Sequence, residues 1–515
     1  MAGSGCARGT PGARWGSGAR ARAAAVGVVQ RAGAVVGTFV SWRKPEPMAT
    51  LTFWGAAQTV TGSKHLVELE SGQKLLLDCG LFQGPREESE RRNRRFGFDP
   101  ASIDAVVLSH AHIDHAGLLP KLYKDGFRGR VWATPATRDL CALMLMDSAH
   151  IQEMDLKWVN KKRAKRGEPP AEALYNQEDA EGVLRRFVSV SYGEPFEPLA
   201  GVTCTFRDAG HILGSATVGL AITEGGRTVR LGFTGDVGNP GRPILRDPEA
   251  MDACDYVISE STYGGKVHAS SNETEDRLAA IIRQAAARGG KVIIPAFAVG
   301  RTQEIVHALD RLTNAGRMPR VPVFVDSPLA VNATGIYLAH PECFDAELRE
   351  YMRLDPDPLG FDKLAYVRDV EGSKALNDRH EPMVIISASG MAEAGRILHH
   401  LRNNIEKPST TVLMVGYCAE GTLGKRIIDR EPFVRIFGEE FKLNATVEVM
   451  NSLSAHADEP GMVGFLSKLD VPRLKTTFLV HGDPPRQEAM KAALKTAGFG
   501  EITIPAHGQT VVLGV

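Results

Sequence analysis

His110-Ala111-His112-Ile113-Asp114-His115-Ala116-Gly117 follows directly on the apolar run Ala105-Val106-Val107-Leu108. Three imidazoles and a carboxylate crowd into six residues at the exit of a segment that reads as a buried strand. Packing alone gives no reason for that expense. As a metal cradle it makes chemical sense, because imidazole nitrogen and carboxylate oxygen bind zinc at about 2.0–2.2 Å and a catalytic ion keeps one position open. Four candidate ligands in one loop exceed what one such ion uses, so the spacing points to two. The blander reading is a histidine-rich surface loop, but ligand clusters on strand ends usually mark sites.

Working outward, other candidate ligands also stand where strands end. Asp78 closes Leu75-Leu76-Leu77, and His211 begins the turn after Arg207-Asp208-Ala209-Gly210. Asp236 follows Gly232-Phe233-Thr234-Gly235, and His481 follows Thr477-Phe478-Leu479-Val480. Each alone is ordinary strand-end chemistry; together they describe one centre.

The segments around them alternate short β-rich runs with helices. Strands are expected at 51–54, 65–69, 75–78, 106–108, 131–133, 202–206, 216–222, 228–235 and 256–259, with a long helix over 136–166. That helix ends in the basic run Lys161-Lys162-Arg163-Ala164-Lys165-Arg166, before Pro169-Pro170 breaks the chain. After Glu260 the rhythm becomes strand, loop, helix, with strands at 292–295, 321–325, 384–387 and 412–415. That predicts an α/β fold with a mostly parallel, doubly wound sheet. Strands near 447–450, 478–480 and 502–504 close the chain.

The 515 residues suffice for two or more domains. No apolar run is long enough to span a membrane, so no membrane partner is expected. Seven cysteines lie far apart without a CxxC pair, against both a disulfide framework and a cysteine-zinc site; a reducing cytoplasm is the expected location. Residues 1–47 are rich in Ala, Gly and Arg, with seven basic residues and one acid. They read as a disordered or non-native extension, with a transit peptide as the alternative. Because the whole chain has 61 basic and 61 acidic residues, the remainder is net acidic by six. A nucleic-acid enzyme of that charge depends on a local basic groove, not on bulk attraction.

Asp78, His110-x-His112-x-Asp114-His115, His211 and Asp236 resemble, in order and context, the four motifs of the metallo-β-lactamase fold. Glu260 in Ser259-Glu260-Ser261-Thr262-Tyr263-Gly264, His456 in Ser454-Ala455-His456-Ala457-Asp458 and His481 in Leu479-Val480-His481-Gly482 resemble motifs A, B and C of the β-CASP nucleases. Gly416–Lys425 is similar to a segment of the endonuclease subunit of pre-mRNA 3′-end cleavage. The resemblance covers about 48–515. It implies a metallo-β-lactamase αββα sandwich over 48–261 and 445–515, interrupted by a β-CASP domain at 262–444. RNA-acting members carry histidine at motif C where the DNA-repair branch has an apolar residue, so His481 implies RNA, and single-stranded RNA is the expected partner.

In this frame one zinc would take His110, His112 and His211, and a second Asp114, His115 and His481, with Asp236 bridging. Two such ions hold a bridging water as hydroxide and neutralise phosphate charge during in-line attack. The resemblance makes Asp78 an orienting group hydrogen-bonded to the ligands. It pairs Glu260 with His456 as proton donor or scissile-phosphate contact, and a carboxylate beside an imidazole favours its charged form. Substrate phosphates would meet Ser387, Ser389 and Gly390, between a strand and a helix, and Arg301, Ser327 and Arg396 in comparable loops. Ordinary turn chemistry and solvated arginines are the alternative there, as a solvated face is for 161–166. His65, His399, His400 and His507 read as structural or surface residues.

The expected function is zinc-dependent, endonucleolytic hydrolysis of RNA phosphodiesters. A 5′–3′ exoribonuclease and an inactive RNA-binding scaffold are the alternatives, and a homodimer is left open. A small-molecule metallohydrolase would not need Glu260, His456 or the insertion.

Overall fold

The computed structural model of the protein describes residues 47–514, apart from 269–273, 417, 419, 420 and 451–453. Apart from Pro47, the expected extension over 1–47 lies outside the described residues, as do Tyr417, Ala419 and Glu420 of the 416–425 segment.

Two seven-stranded sheets face each other. The first runs, in spatial order, Thr510–Gly514, Pro47–Phe53, His65–Leu69, Lys74–Leu77, Ala105–Val107, Arg130–Ala133 and Phe187–Ser189. The second runs Glu501–Thr503, Thr476–Val480, Tyr256–Glu260, Arg227–Phe233, Ala216–Glu224, Val202–Asp208 and Pro195–Leu199. Side chains alternate along each strand, so Val202, Cys204 and Phe206 turn inward and meet Leu51, Leu75, Leu77 and Val107 of the first sheet. Helices cover both outer faces. Pro135–Lys165 begins with Thr134 Oγ1 accepting from Thr137 N and packs Leu140, Leu145 and Ala149 on the first sheet. Glu459–Leu466 and Pro484–Thr496 place Leu466, Met490 and Leu494 against the second. This is the αββα sandwich.

The chain leaves the second sheet after Glu260 and returns on the neighbouring parallel strand, where Glu260 is paired with Val480. The insertion builds a six-stranded, wholly parallel sheet in the order Leu364–Tyr366, Val323–Val325, Val384–Ser387, Val292–Pro295, Thr411–Met414, Thr446–Val449. Its strands are continuous apolar runs because both faces are covered. The fold is thus a metallo-β-lactamase sandwich with an inserted β-CASP domain.

One boundary is corrected. Thr446–Val449 forms the edge of the inserted sheet, parallel to Thr411–Met414, so a return to the sandwich at 445 is too early. An isolated β-run carries no mark of the sheet it joins, and Val447 is buried with Ile427 and Val412 of the insertion. Strands that sequence periodicity missed are short, such as Phe187–Ser189 and Leu364–Tyr366, or half-exposed, such as the hairpin Phe433–Ile436 and Glu439–Lys442.

Candidate metal centre

The site lies where strands of both central sheets end. His110 and His115 emerge beyond Ala105–Val107, with Asp114 and His115 on the single helical turn Ile113–Ala116. Asp236 follows Arg227–Phe233, and His481 follows Thr476–Val480. Asp78 and His481 have φ of +59° and +51°, a left-handed backbone that aspartate and histidine tolerate better than most side chains. At both positions it turns the chain sharply at the strand end.

Three sets of donor atoms lie close enough to hold an ion: His110, His112, His211 and Asp236; Asp114, His115 and His481; and Asp236, Glu260 and His456. His112 Nδ1 lies 3.2 Å from His110 Nε2 and 3.2 Å from His211 Nε2. His481 Nε2 lies 3.1 Å from His115 Nε2 and 3.4 Å from Asp114 Oδ2. Asp236 Oδ2 stands 3.5 Å from His110 Nε2, 3.6 Å from His211 Nε2 and 3.3 Å from His115 Nε2, touching histidines of the first two sets. Ligands at 2.0–2.1 Å around a tetrahedral ion are about 3.3 Å apart, and these spacings match that. Asp236 Oδ1 is buried without a hydrogen-bond partner, a costly state unless a cation stands nearby. The residues present fit a divalent metal.

Protonation agrees with that fit for His110, His112 and His211. Burial, reinforced by neighbouring imidazoles, holds His110 and His211 well below the usual histidine range and His112 at about 4, so these rings are neutral, as ligands must be. Burial would raise Asp236, but His115, His481, His456 and His110 together hold it well below the usual carboxylate range. His115 goes the other way. Burial opposes its charge, but Asp236 and Asp78 outweigh burial and raise it well above its ordinary value.

Around the donors a layer of hydrogen bonds fixes each ring. Asp78 is fully buried; its Oδ2 lies 2.7 Å from His115 Nδ1 and accepts from Ser109 Oγ and Ser63 Oγ, while its Oδ1 accepts from Ser109 N. With Nδ1 so engaged, His115 presents Nε2 to the centre. His211 Nδ1 faces the Ala455 carbonyl at 3.2 Å. His481 Nδ1 lies 3.0 Å from Thr262 Oγ1, which donates to Glu260 Oε2 at 2.6 Å.

Glu260 and His456 meet beside the donors. Glu260 is 2% exposed, accepts from Val237 N through Oε1 at 2.7 Å, and places Oε2 3.1 Å from His456 Nδ1. Burial lowers the pKa of His456, but Glu260 foremost and then Asp236 raise it to about 9.

The side chains singled out for phosphate contact each already have a partner within the inserted domain. Ser387 Oγ donates to the Asp326 carbonyl, and Ser327 Oγ caps the helix Pro328–Ala339 by accepting from Ala330 N. Ser389 Oγ accepts from Glu393 N and Ala394 N. Arg396 is bonded to Asp326 Oδ1 and to the carbonyls of Val367 and Arg368. Arg301 shares Glu304 with Arg242, which also reaches the Ser454 carbonyl. Gly390 alone offers only backbone, beside the Phe297 ring. Sequence reasoning did not single out Ser63, Ser109 or Thr262. Thr262 stands within a quoted motif, and only the parallel pairing of Tyr256–Glu260 with Thr476–Val480 brings it to His481.

Comparison with known proteins agrees with this architecture. Residues 63–296 match the metallo-beta-lactamase superfamily, 302–427 the Beta-Casp domain, and 440–505 the Zn-dependent metallo-hydrolase RNA specificity domain. The chain is 38% identical over 459 residues to Ribonuclease TTHA0252 of Thermus thermophilus, covering 89% of this chain and 98% of that protein. It is 32% identical to Transcription termination factor FttA of Pyrococcus abyssi, covering 86% of this chain and 69% of the relative. With FttA of Methanosarcina mazei it shares 31% identity over 80% of this chain, but spans 63% of that relative. A crystal structure of a protein of unknown function from Enterococcus faecalis shares the fold at a TM-score of 0.50 and 12% identity, covering 90% of this chain and all of that one. With the donor cluster, the inserted parallel sheet and a relative matched over nearly its whole length, the chain belongs to the β-CASP family of the metallo-β-lactamase superfamily and is a metal-dependent nuclease.

Proposed function

We propose that the protein is a dizinc ribonuclease cutting single-stranded RNA internally. The observation that carries this reading is Asp236 Oδ2, within 3.3–3.6 Å of imidazole nitrogens in the first two donor sets. One zinc would be held by His110, His112, His211 and Asp236, the other by Asp114, His115, His481 and Asp236. Ions bound there supply Lewis-acid stabilisation of the phosphate and make water acidic enough to attack near neutral pH. The rest is the work of the chain. Asp78 fixes the ring of His115, and Glu260 holds the proton of His456 on Nδ1. The Nε2 atom on the far side of that ring then carries the proton delivered to the departing 3′ oxygen. RNA as substrate is supported by His481 at motif C and by relatives named as a ribonuclease and a termination factor. Phosphate contact through Arg301 or Arg396 would compete with carboxylates each already holds.

The test uses the full chain, zinc analysis, and single-stranded RNA labelled at either end, with DNA of the same sequence beside it. About two zinc per chain, chelator-sensitive internal cuts in RNA and slow or no cutting of DNA are expected. Activity that survives exhaustive chelation, or equal rates on RNA and DNA, overturns the reading; release of single nucleotides from the 5′ end replaces it with an exonuclease.

A further inference from the structure

The loop Ala296–Gly300 joins the strand Val292–Pro295 to the helix Arg301–Asn314. Ala296, Ala298 and Val299 are buried, whereas Phe297 between them is 39% exposed. A single exposed apolar residue is ordinary. Its position is what matters here.

Phe297 lies against the ends of the two neighbouring strands. A Cβ on Gly390 would stand 2.7 Å from Phe297 Cδ2, and one on Gly416 would stand 4.0 Å from Cε2. Only glycine at 390 leaves room for the ring. Those two loops follow Val384–Ser387 and Thr411–Met414, which flank Val292–Pro295 in the sheet. The chain also leaves these strands in opposite directions. From Val292–Pro295 it crosses to Val323–Val325 on one side, and from Val384–Ser387 to Thr411–Met414 on the other. The following helices accordingly pack on opposite faces, Ile305 and Leu309 with Val292 and Ile294, Ile397 and Leu401 with Ile293 and Val412. Such a reversal opens a crevice at the carboxyl ends of the strands, the usual ligand position in a doubly wound sheet.

The same loop reaches the metal centre. A Cβ on Gly300 would lie 3.3 Å from Ile212 Cγ2, and Ile212 follows the donor His211. Three residues of chain span at most about 11 Å, so the backbone of Phe297 is no farther than that from the residue packed on this wall.

Resting on the ribonuclease reading above, we propose that Phe297 is a stacking platform for one nucleobase of single-stranded RNA close to the scissile phosphate. A phenyl face accepts any base, which gives binding without a strict sequence code. Bases inside a duplex are stacked on one another and cannot be offered to it, so the same ring favours unpaired RNA.

The experiment uses the zinc-loaded full chain and an unstructured RNA oligonucleotide carrying one 2-aminopurine, moved base by base through the strand. The wild type should quench the probe at one position at a fixed distance from the cut. Phe297→Leu should remove that quenching and raise KM about 5- to 150-fold with kcat little changed, while Phe297→Tyr keeps both at wild-type values. An abasic nucleotide at the quenched position should impair the wild type and leave Phe297→Leu no worse. Unchanged KM and quenching in a folded, zinc-replete Phe297→Leu, with RNA still cut by the wild type, overturn the stacking proposal alone. Failure of the wild type to cut or bind RNA overturns both readings.

Discussion

Thr262 Oγ1 donates to Glu260 Oε2 at 2.6 Å and stands 3.0 Å from Nδ1 of the metal-centre residue His481. Because Glu260 Oε2 is also 3.1 Å from His456 Nδ1, one hydroxyl ties the Glu260–His456 pair to the candidate donor set. Thr262→Val keeps shape and removes the tie. A hydrogen bond to a charged group contributes about 1.5–3 kcal/mol, so kcat should fall roughly 10- to 150-fold, with KM and zinc content little changed. Thr262→Ser should recover most of the rate. Equal kcat in Thr262→Val and the wild type would reduce the contact to packing.

Asp78 touches no shared donor space, yet four hydrogen-bonding groups converge on its carboxylate. Its removal should loosen the ring of His115 and lower metal affinity by about 10- to 100-fold, the usual cost of losing an orienting partner. Competition with a chromophoric chelator measures this for Asp78→Asn. His110→Ala and Asp236→Ala should instead lose bound metal and activity together.

Asp326 and Arg396 belong to the stability of the inserted domain. Asp326 is fully buried, bonded to Arg396 Nη1 at 2.7 Å, His400 Nε2 at 2.6 Å and Ser373 Oγ. Burial would raise its pKa, but the bonds from His400, Ser373 and Arg396 win and lower it. A carboxylate depressed in the folded state adds stability above its unfolded pKa of about 4, and loses it as pH falls toward the lower folded value. Asp326→Ala, which strands Arg396 and His400, should cost about 3–5 kcal/mol in denaturant unfolding at pH 7. Its deficit should shrink below pH 4. A pH-independent deficit would show that charge plays no part.

How far the sequence is legible follows from where its information is local. The cluster His110–His115 declares itself because ligand spacing and the preceding apolar run share one short stretch. The parallel insertion follows from period and element order, whereas the sandwich follows only from the resemblance of the motifs at its strand ends. What stays hidden depends on sheet pairing. Nothing near Thr446 says that its strand completes the inserted sheet, and nothing near Phe297 says that its ring fills the space between Gly390 and Gly416. Arg301 and Arg396 look available in sequence because their partners Glu304 and Asp326 become partners only in the fold, three residues along a helix turn in one case and 70 residues away in the other.

His456 stands beside the donor groups with Nδ1 turned to Glu260, 3.8 Å from Asp236 Oδ2. If it protonates the departing oxygen, His456→Ala should keep roughly two zinc and lose about 10²–10⁴-fold in rate. The glutamate foremost keeps the ring charged up to about pH 9 against the effect of burial, so the rate should decline as pH rises through that value. Removing the charge with Glu260→Gln lowers the histidine pKa and should move the decline to lower pH. Leaving-group chemistry separates proton delivery from phosphate binding. A sulfur leaving atom at the scissile bond needs little protonation, so it should restore much of the rate to His456→Ala and none to His110→Ala. No rescue by sulfur would make His456 a phosphate contact, and loss of zinc in His456→Ala would make it a ligand.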